Sequence, residues 1–230
     1  MQKSPIPWQV IKAESFLIFL VLVILGLKSF RFVTDETRLL LRGELDLVSV
    51  AMIENSLREH KGRFNTLQFE DSPGAGAAAG IIVDQIEALI NRNHLNTEAR
   101  GYCASACAAA FLLGENRTLL KNNERAPTYL MIHAFRHHVT REVNYGKTEA
   151  LNKKISAKSL SKLPMSLLNR IFDDKKGTGD GEIYIFRDPQ RTPSGQHQVF
   201  VCSGERHVVI GQCEAIVGMT PEKLGIRIAP

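Results

Sequence analysis

The sequence predicts an α/β domain with parallel strands, preceded by one N-terminal membrane segment. Between residues 39 and 133, short strand-like and helical apolar patterns alternate along the chain, at the spacing of roughly 15–25 residues that helices connecting parallel strands require. Near the N-terminus, the twelve residues Phe16–Leu27 are uncharged and almost all strongly apolar. The 230 residues suffice for one sizeable domain or two small ones.

The composition excludes several classes of protein. With 44% hydrophobic and 23% charged residues, the chain is neither a disordered tail nor a collagen-like fibre. A mean hydropathy of −0.09 excludes a membrane protein with many spans. The net charge of +5 falls short of a nucleic-acid-binding signature, and the basic stretch Arg136–Lys147 is more typical of a solvated surface. We therefore expect no nucleic-acid partner.

The N-terminal apolar run is interpreted as a membrane anchor. Phe16–Leu27 is shorter than the roughly 20 residues of a spanning helix and has the length of a signal-peptide core, but no small-x-small cleavage site follows it. Aromatic and basic neighbours such as Trp8, Lys28 and Arg31 are typical of interfacial anchors that extend a span. An uncleaved signal anchor over residues 1–32 is favoured over a cleaved signal peptide or a buried core helix, with its orientation left open.

The remaining residues, 33–230, are predicted to form the α/β domain, whose elements follow from apolar spacing. The predicted strands are Leu39–Leu45, Thr66–Phe69, Thr97–Tyr102, Arg117–Leu120 and Tyr129–His133. The predicted helices run from an N-cap at Asp46 to about His60, over Ile81–Ile90 and over Ser105–Leu113. Residues 144–176 are predicted to be polar and helical with a break at Pro164, and residues 175–212 to form a polar elaboration.

The four cysteines form two local pairs. Cys103 and Cys107 are four residues apart, and Cys202 and Cys213 flank a predicted hairpin. Behind a secretory-type segment, local pairs indicate disulfides in an oxidising compartment. Zinc binding is the competing interpretation, but it favours CxxC or mixed Cys and His clusters, which these spacings do not match. The domain is therefore expected outside the cytoplasm.

Three segments carry the chemistry. The loop Asp71–Gly80, rich in glycine and alanine, joins a predicted strand to a helix and lets backbone N–H groups face an anion. Ser105 lies at the start of a predicted helix, between two cysteines. His133 ends a predicted strand and could accept the serine proton. Alone, each segment has a structural alternative: a plain turn, a helix cap or a core histidine.

The order and spacing of these segments resemble the Clp protease proteolytic subunit and the wider crotonase-like superfamily. Ser72–Gly80 looks like the family's SPGGxxxxG loop, and Ser105 follows 30 residues after Ala75, close to the family's spacing to its nucleophile. Met131–His133 looks like the family's MIH, with its histidine 28 residues past the serine.

The resemblance extends over part of the chain and implies a fold. It covers about residues 39–135 and, more faintly, 219–226, and it implies a fold built as a spiral of ββα units. The cysteine-flanked serine at Cys103–Cys107 is closer to exported Clp-protease-like proteins of bacteria than to the cytoplasmic protease.

The resemblance also implies acyl transfer without a cofactor. Ser105 attacks a carbonyl, His133 acts as general base and then acid, and backbone N–H groups form an oxyanion hole. The candidate oxyanion-hole residues are Gly74, Ala75, Gly76 and Ala106. The family's second loop glycine is Ala75 here, which would be strained at a positive φ unless Gly76 compensates by a one-residue shift.

The third member of the implied triad is left open by the sequence. The family places an aspartate some fifty residues after the histidine; the candidate is Asp173, with Asp174 and Asp180 as alternatives. The same aspartates are typical of a solvated helix end, and losing such an acid can lower the rate about 10⁴-fold. No metal is expected, because His137 and His138 show no third-ligand pattern.

The leading hypothesis is a membrane-anchored, ATP-independent serine hydrolase, a peptidase acting on a peptide or protein substrate. Its catalytic domain is expected outside the cytoplasm, in a bacterial periplasm, and a homo-oligomer is one option because the Clp relatives form rings. The alternative is a catalytically inactive scaffold of the same fold, acting as a membrane-tethered interaction module. A crotonase-type acyl-CoA enzyme is disfavoured by the Ser105 and His133 pair. A Cys103–Cys107 bond beside Ser105 adds the hypothesis of redox control.

Overall fold

A computed structural model describes residues 33–76, 78–122, 126–137, 140, 142–172, 181–203 and 210–229. The strands in these residues are β1 (Val33–Thr34), β2 (Arg38–Arg42), β3 (Thr66–Ser72), β4 (Asn96–Ala104), β5 (Arg117–Leu119), β6 (Tyr129–His133), β7 (Glu182–Thr192), β8 (Gly195–Cys202), β9 (Glu214–Ala215) and β10 (Arg227–Ile228). The helices are α1 (Leu47–Glu59), α2 (Ala79–Asn93), α3 (Ala106–Leu112), α4 (Tyr145–Lys158) and α5 (Met165–Leu168), with 3₁₀ turns at Asn169–Phe172 and Ile210–Gln212.

The strands of the described residues form one mixed sheet. Its main path runs β1-β2-β3-β4-β6-β7-β8-β9, while β5 pairs with both β4 and β10. Strands β2, β3, β4 and β6 run parallel to one another. β1 pairs antiparallel with β2 at one end, and β7, β8 and β9 continue the other end in antiparallel pairs. The predicted α/β class is confirmed, but the sheet is not all parallel, because antiparallel β7 and the β7–β8 hairpin extend it.

The start of helix α1 is defined by an N-cap at Asp46. The Asp46 carboxylate accepts a hydrogen bond from the Ser49 N–H at 2.7 Å and closes a capping box. Val50, Ile53 and Leu57 follow at helical spacing and are buried. The predicted amphipathic helix therefore forms and buries its apolar stripe in the core.

Helix α3 lies at the centre of the core. Its seven residues are all buried, and it packs on β4 and β6 and against α2 and α4. The alanines of α3 let its backbone lie close to the sheet, and Phe111, with no exposed surface, fills the space beyond them. The start of α3, and Ser105 just before it, are thereby fixed relative to the sheet.

Strands β3 and β4 run further toward the serine than predicted. β3 extends through Ser72 and β4 through Ala104. The register between them shifts from Glu70↔Arg100 to Ser72↔Cys103, so that β4 carries one extra residue at a bulge. The bulge keeps the two strands paired up to the loop that faces Ser105.

The stretch predicted as a polar elaboration, residues 175–212, contributes two strands to the main sheet. Ile183, Ile185, Val199 and Phe200 of β7 and β8 have no exposed surface. These side chains form part of the core at the antiparallel end of the sheet. Within the stretch, residues 175–180 and 204–209 lie outside the described residues.

The predicted anchor, residues 1–32, also lies outside the described residues. None of the described helices is long and apolar enough to cross a bilayer. The residues described from position 33 onward belong to one compact unit. The anchor, and the domain boundary after residue 32, stay predictions.

Candidate active site

Ser105 lies on a sharp turn between β4 and α3. Its backbone adopts φ 56° and ψ −123°, a conformation that L-residues rarely adopt and that costs about 1–3 kcal/mol. The turn is held on both sides: the Ser105 N–H donates to the Met131 carbonyl at 2.8 Å, and the Ala109 N–H donates to the Ser105 carbonyl at 3.0 Å. A serine on such a strand-to-helix turn is typical of nucleophile elbows.

Gly74 of the small-residue loop is seated directly against this turn. Its φ is +94°, and a Cβ added to it would lie 2.6 Å from the Ala104 carbonyl oxygen, 2.8 Å from the Ala106 nitrogen and 2.9 Å from the Ser105 Cβ. The Gly74 carbonyl accepts from the Leu45 N–H at 2.6 Å. Only glycine has both the backbone freedom and the missing side chain that this contact needs.

The backbone donors around Ser105 divide into two groups. The Gly74 N–H donates to Ser72 Oγ at 3.3 Å and the Gly76 N–H to Glu44 Oε1 at 2.7 Å. The N–H groups of Ala75 and Ala106 have no hydrogen-bond partner among the described residues. These two N–H groups belong to residues adjacent to the Gly74–Ser105 contact, which makes them the candidate oxyanion donors.

The strain expected at Ala75 does not arise. Within the described part of the loop, positive φ values fall on Asp71, Gly74 and Ala78, and Ala75 is not among the residues with positive φ. An alanine is therefore accommodated at this position without the left-handed conformation that was its difficulty. The compensating shift to Gly76 is therefore not needed, and Gly76 has no positive φ either. Its N–H is bonded to Glu44.

His133 ends β6, close to the serine turn. The last paired positions of β4 and β6 are Ala104 and Met131, so Ser105 and His133 follow at the same edge of the sheet. The His133 ring places Nδ1 2.8 Å from the Ala134 carbonyl oxygen. Both Ser105 and His133 are half-buried, and among the described residues no hydrogen bond joins the Ser105 hydroxyl to the imidazole.

The candidate acids for orienting His133 are carboxylates from two parts of the chain. Asp173, Asp174 and Asp180 lie outside the described residues. Glu182, which sequence reasoning did not single out, is paired with His133 across β6 and β7. It follows the histidine by 49 residues, which is the signal that could have found it.

Glu182 is engaged by a tyrosine. Its Oε2 accepts from the Tyr184 hydroxyl at 2.8 Å. Burial, and next the charge of Glu182, raise the pKa of Tyr184, so that the phenol stays a proton donor across the physiological range. No hydrogen bond or ion pair joins Glu182 to His133 in the described part of the structure.

Both predicted disulfides are present. Cys103 and Cys107, with Cα atoms 5.3 Å apart, join the end of β4 to the first turn of α3 on either side of Ser105. Cys202 and Cys213, with Cα atoms 4.6 Å apart, join β8 to the turn before β9. Cys103 and Cys107 have no exposed surface, so a reductant in solution can reach them only when the elbow opens locally.

Removing the elbow disulfide is expected to lower stability modestly. The loop between Cys103 and Cys107 is short, so the double variant C103A/C107A should lose about 2 kcal/mol in urea unfolding. The variant C202A/C213A, which opens a longer loop away from Ser105, should lose about 3 kcal/mol and serves as the control. A wild-type protein whose unfolding midpoint is the same with and without reductant at equilibrium would contradict both values.

The assembled groups have the chemistry of acyl transfer. They are a hydroxyl on a constrained turn, an imidazole at the same sheet edge and two backbone N–H groups beside the hydroxyl, which is the set that nucleophile, base and oxyanion stabilisation require. In the described part of the chain, no group of three or more His, Cys, Asp or Glu side chains is placed to hold a metal ion.

Comparison with solved structures finds Clp protease catalytic domains. The chain is similar to a ClpP1 mutant from Listeria monocytogenes, with 22% identity, a TM-score of 0.46 and coverage of 60% of this chain and 80% of that one. It is also similar to the ClpP protease catalytic domain from Plasmodium falciparum, with 16% identity, a TM-score of 0.40 and coverage of 58% and 70%. No protein-family model and no curated protein matches the sequence.

Proposed function

We propose that this protein is a membrane-anchored, ATP-independent serine hydrolase that cleaves peptide bonds. The observation that carries the proposal is the seating of Gly74 against the Ser105 turn. Ala75 follows Gly74 and Ala106 follows Ser105, and the unbonded N–H groups of these two residues are the proposed oxyanion donors. Paired donors of this kind stabilise the charge that develops on a carbonyl oxygen, each by about 3–4 kcal/mol.

The proposed reaction proceeds through an acyl-enzyme. Ser105 Oγ attacks the substrate carbonyl carbon while its proton passes to His133 Nε2, and the carbonyl oxygen becomes an oxyanion bound by the Ala75 and Ala106 N–H groups. The intermediate collapses as His133 returns the proton to the leaving amine. Water then attacks the acyl-enzyme by the same route, with His133 again taking and returning the proton.

The proposed location follows from two independent features. The apolar run Phe16–Leu27 supports a membrane anchor, and the two disulfides support an oxidising compartment. Together they favour a catalytic domain on the extracytoplasmic side, in a bacterial periplasm. A peptide or protein substrate and a homo-oligomer complete the proposal.

A fluorophosphonate probe tests the proposed activity. The purified chain should be labelled at Ser105, S105A should not be labelled, and H133A should be labelled at least about 100-fold more slowly because the general base is lost. S166A is the matched control, since Ser166 is an exposed serine at the start of another helix and its loss should leave the rate unchanged. An unlabelled wild type, under conditions that label a known serine hydrolase, would falsify the proposal.

The alternative function is an inactive scaffold that presents an interaction surface at the membrane. It is favoured by one observation: in the described residues the Ser105 hydroxyl has no hydrogen bond to His133. Catalytic hydrogen bonds are often long in a free enzyme and form only with substrate. Labelling that depends on both Ser105 and His133 excludes the scaffold, whereas its absence leaves the scaffold as the function.

A further inference from the structure

Among the described residues, it is a backbone group that holds the His133 ring. A carbonyl oxygen can only accept a hydrogen bond, so the contact of Nδ1 with the Ala134 carbonyl at 2.8 Å requires the proton on Nδ1. In the neutral ring Nε2 is then unprotonated, which is the state that a general base needs. In a serine triad the buried acid performs this same selection of tautomer and orientation.

The peptide unit that presents this carbonyl is clamped at its other end. The Ala134 C=O and the Phe135 N–H belong to one planar group, and the Phe135 N–H donates to Thr148 Oγ1 at 3.0 Å. Thr148 is 1% exposed, and its hydroxyl donates to the Asn144 carbonyl at 2.8 Å. With its donor bond used in this way, the Thr148 oxygen is oriented to accept from Phe135, and the peptide plane is fixed.

The loop around this peptide is tied to the same helix start. The Asn144 N–H donates to the Phe135 carbonyl at 2.7 Å, and Arg136 pairs with Val143 in an antiparallel bridge. The start of α4 therefore holds the Ala134–Phe135 peptide through the Thr148 bond and the following peptide through the Asn144 bond. The described carboxylate paired with His133, Glu182, is bonded to Tyr184 instead.

We propose that the Ala134–Phe135 peptide unit, clamped by Thr148, orients His133 in place of a triad acid. The inference rests on the proposed function and deepens it, since it identifies what positions the base. Thr148 acts through the peptide and is a positioning residue. A neutral carbonyl stabilises the imidazolium less than a carboxylate does, so the group selects tautomer and orientation more than it stabilises charge.

Three threonine variants test the inference by the rate of fluorophosphonate labelling. T148V removes the clamp and should slow labelling at least tenfold, while T148S keeps a hydroxyl and should stay within threefold of wild type. T128V is the matched control. Thr128 is also 1% exposed, and its hydroxyl likewise accepts from an N–H, that of Gly101 at 3.1 Å, and donates to the Leu120 carbonyl at 2.8 Å. T128V should therefore lose similar stability but stay within threefold in rate.

The competing arrangement makes the opposite prediction. If an aspartate of the segment Asp173–Asp180 orients His133, then D173N, D174N or D180N slows labelling by up to about 10⁴-fold and T148V matches T128V. Either result overturns the inference: a tenfold or greater loss in one of these aspartate variants, or a T148V rate no slower than that of T128V. All rates are compared at a temperature where each variant is folded.

Nitrogen NMR of the His133 ring separates this inference from the proposed function. In the neutral state the wild type and T128V should show a protonated Nδ1 and an unprotonated Nε2, whereas T148V should show a mixture of tautomers. A wild type that is not labelled but has this spectrum retains the positioning and loses only the catalytic proposal. A wild type that is labelled but carries its proton on Nε2 loses the inference and retains the hydrolase.

Discussion

The variant G74A is expected to lose at least about 100-fold in the rate of Ser105 labelling, because an added methyl group displaces the serine turn. Its Cβ would lie within 2.9 Å of three atoms of Ala104, Ser105 and Ala106, two of them backbone atoms. The serine turn or the loop must then move by a substantial fraction of an ångström, and a displacement of about 1 Å can lower a rate about 10²-fold. Stability should fall by about 3 kcal/mol or more, the sum of left-handed strain and overpacking.

A variant at a second glycine separates the effect of steric overlap from the effect of backbone strain. Gly62 has a similar φ of +75° but no heavy atom within 4 Å of an added Cβ, so G62A should lose only about 1–2 kcal/mol and keep the full labelling rate. Urea unfolding and probe labelling of both variants give the comparison. Equal rates for G74A and the wild type would mean that the loop does not position the oxyanion donors, and the proposed active site would have to be abandoned.

The parts of this site that the sequence predicts are those encoded over a few adjacent residues. A glycine-rich loop, a serine at a strand-to-helix junction and a histidine at a strand end each have a local signature, and their order along the chain brings the three segments together. The two cysteine pairs are equally local. Whether Ala75 is tolerated depends on its backbone φ, which the sequence does not give. That angle depends on how Gly74 packs against the Ser105 turn in the folded chain.

The groups around His133 show where sequence reasoning ends. Thr148 reaches the Ala134–Phe135 peptide only because the first turn of α4 folds back on the loop, and a buried threonine fifteen residues away carries no motif. Glu182 becomes a neighbour of His133 through the antiparallel register of β6 and β7. The sequence does not predict this pairing, because a strand-like stretch inside a polar region carries no local signal for the strand that it pairs with.

The second large effect is expected at Glu70, whose replacement by glutamine should lower the free energy of unfolding by about 2 kcal/mol. The Glu70 carboxylate, with a side chain 6% exposed, accepts from Arg42 at 2.6 Å, Arg100 at 2.9 Å and Gln68 at 2.7 Å. Arg42, Glu70 and Arg100 lie in register across β2, β3 and β4. Removing one partner of a buried pair costs about 3–5 kcal/mol, and the partial exposure of both arginines reduces that figure.

The neighbouring pair of Glu98 and Arg38 provides the control for this network. Glu98 accepts from the Arg38 Nε at 2.9 Å, but it has one arginine partner, with 39% of that side chain exposed, so E98Q should lose about 0.5–1 kcal/mol. Urea unfolding of both variants in low and high salt measures the difference, which should persist in high salt because Glu70 is buried. Because β3 leads directly into the loop that carries Gly74, E70Q should also slow Ser105 labelling more than E98Q does. Equal free energies of unfolding for E70Q and E98Q would contradict the prediction. They would mean that the Glu70 network stabilises the fold no more than an ordinary surface ion pair does.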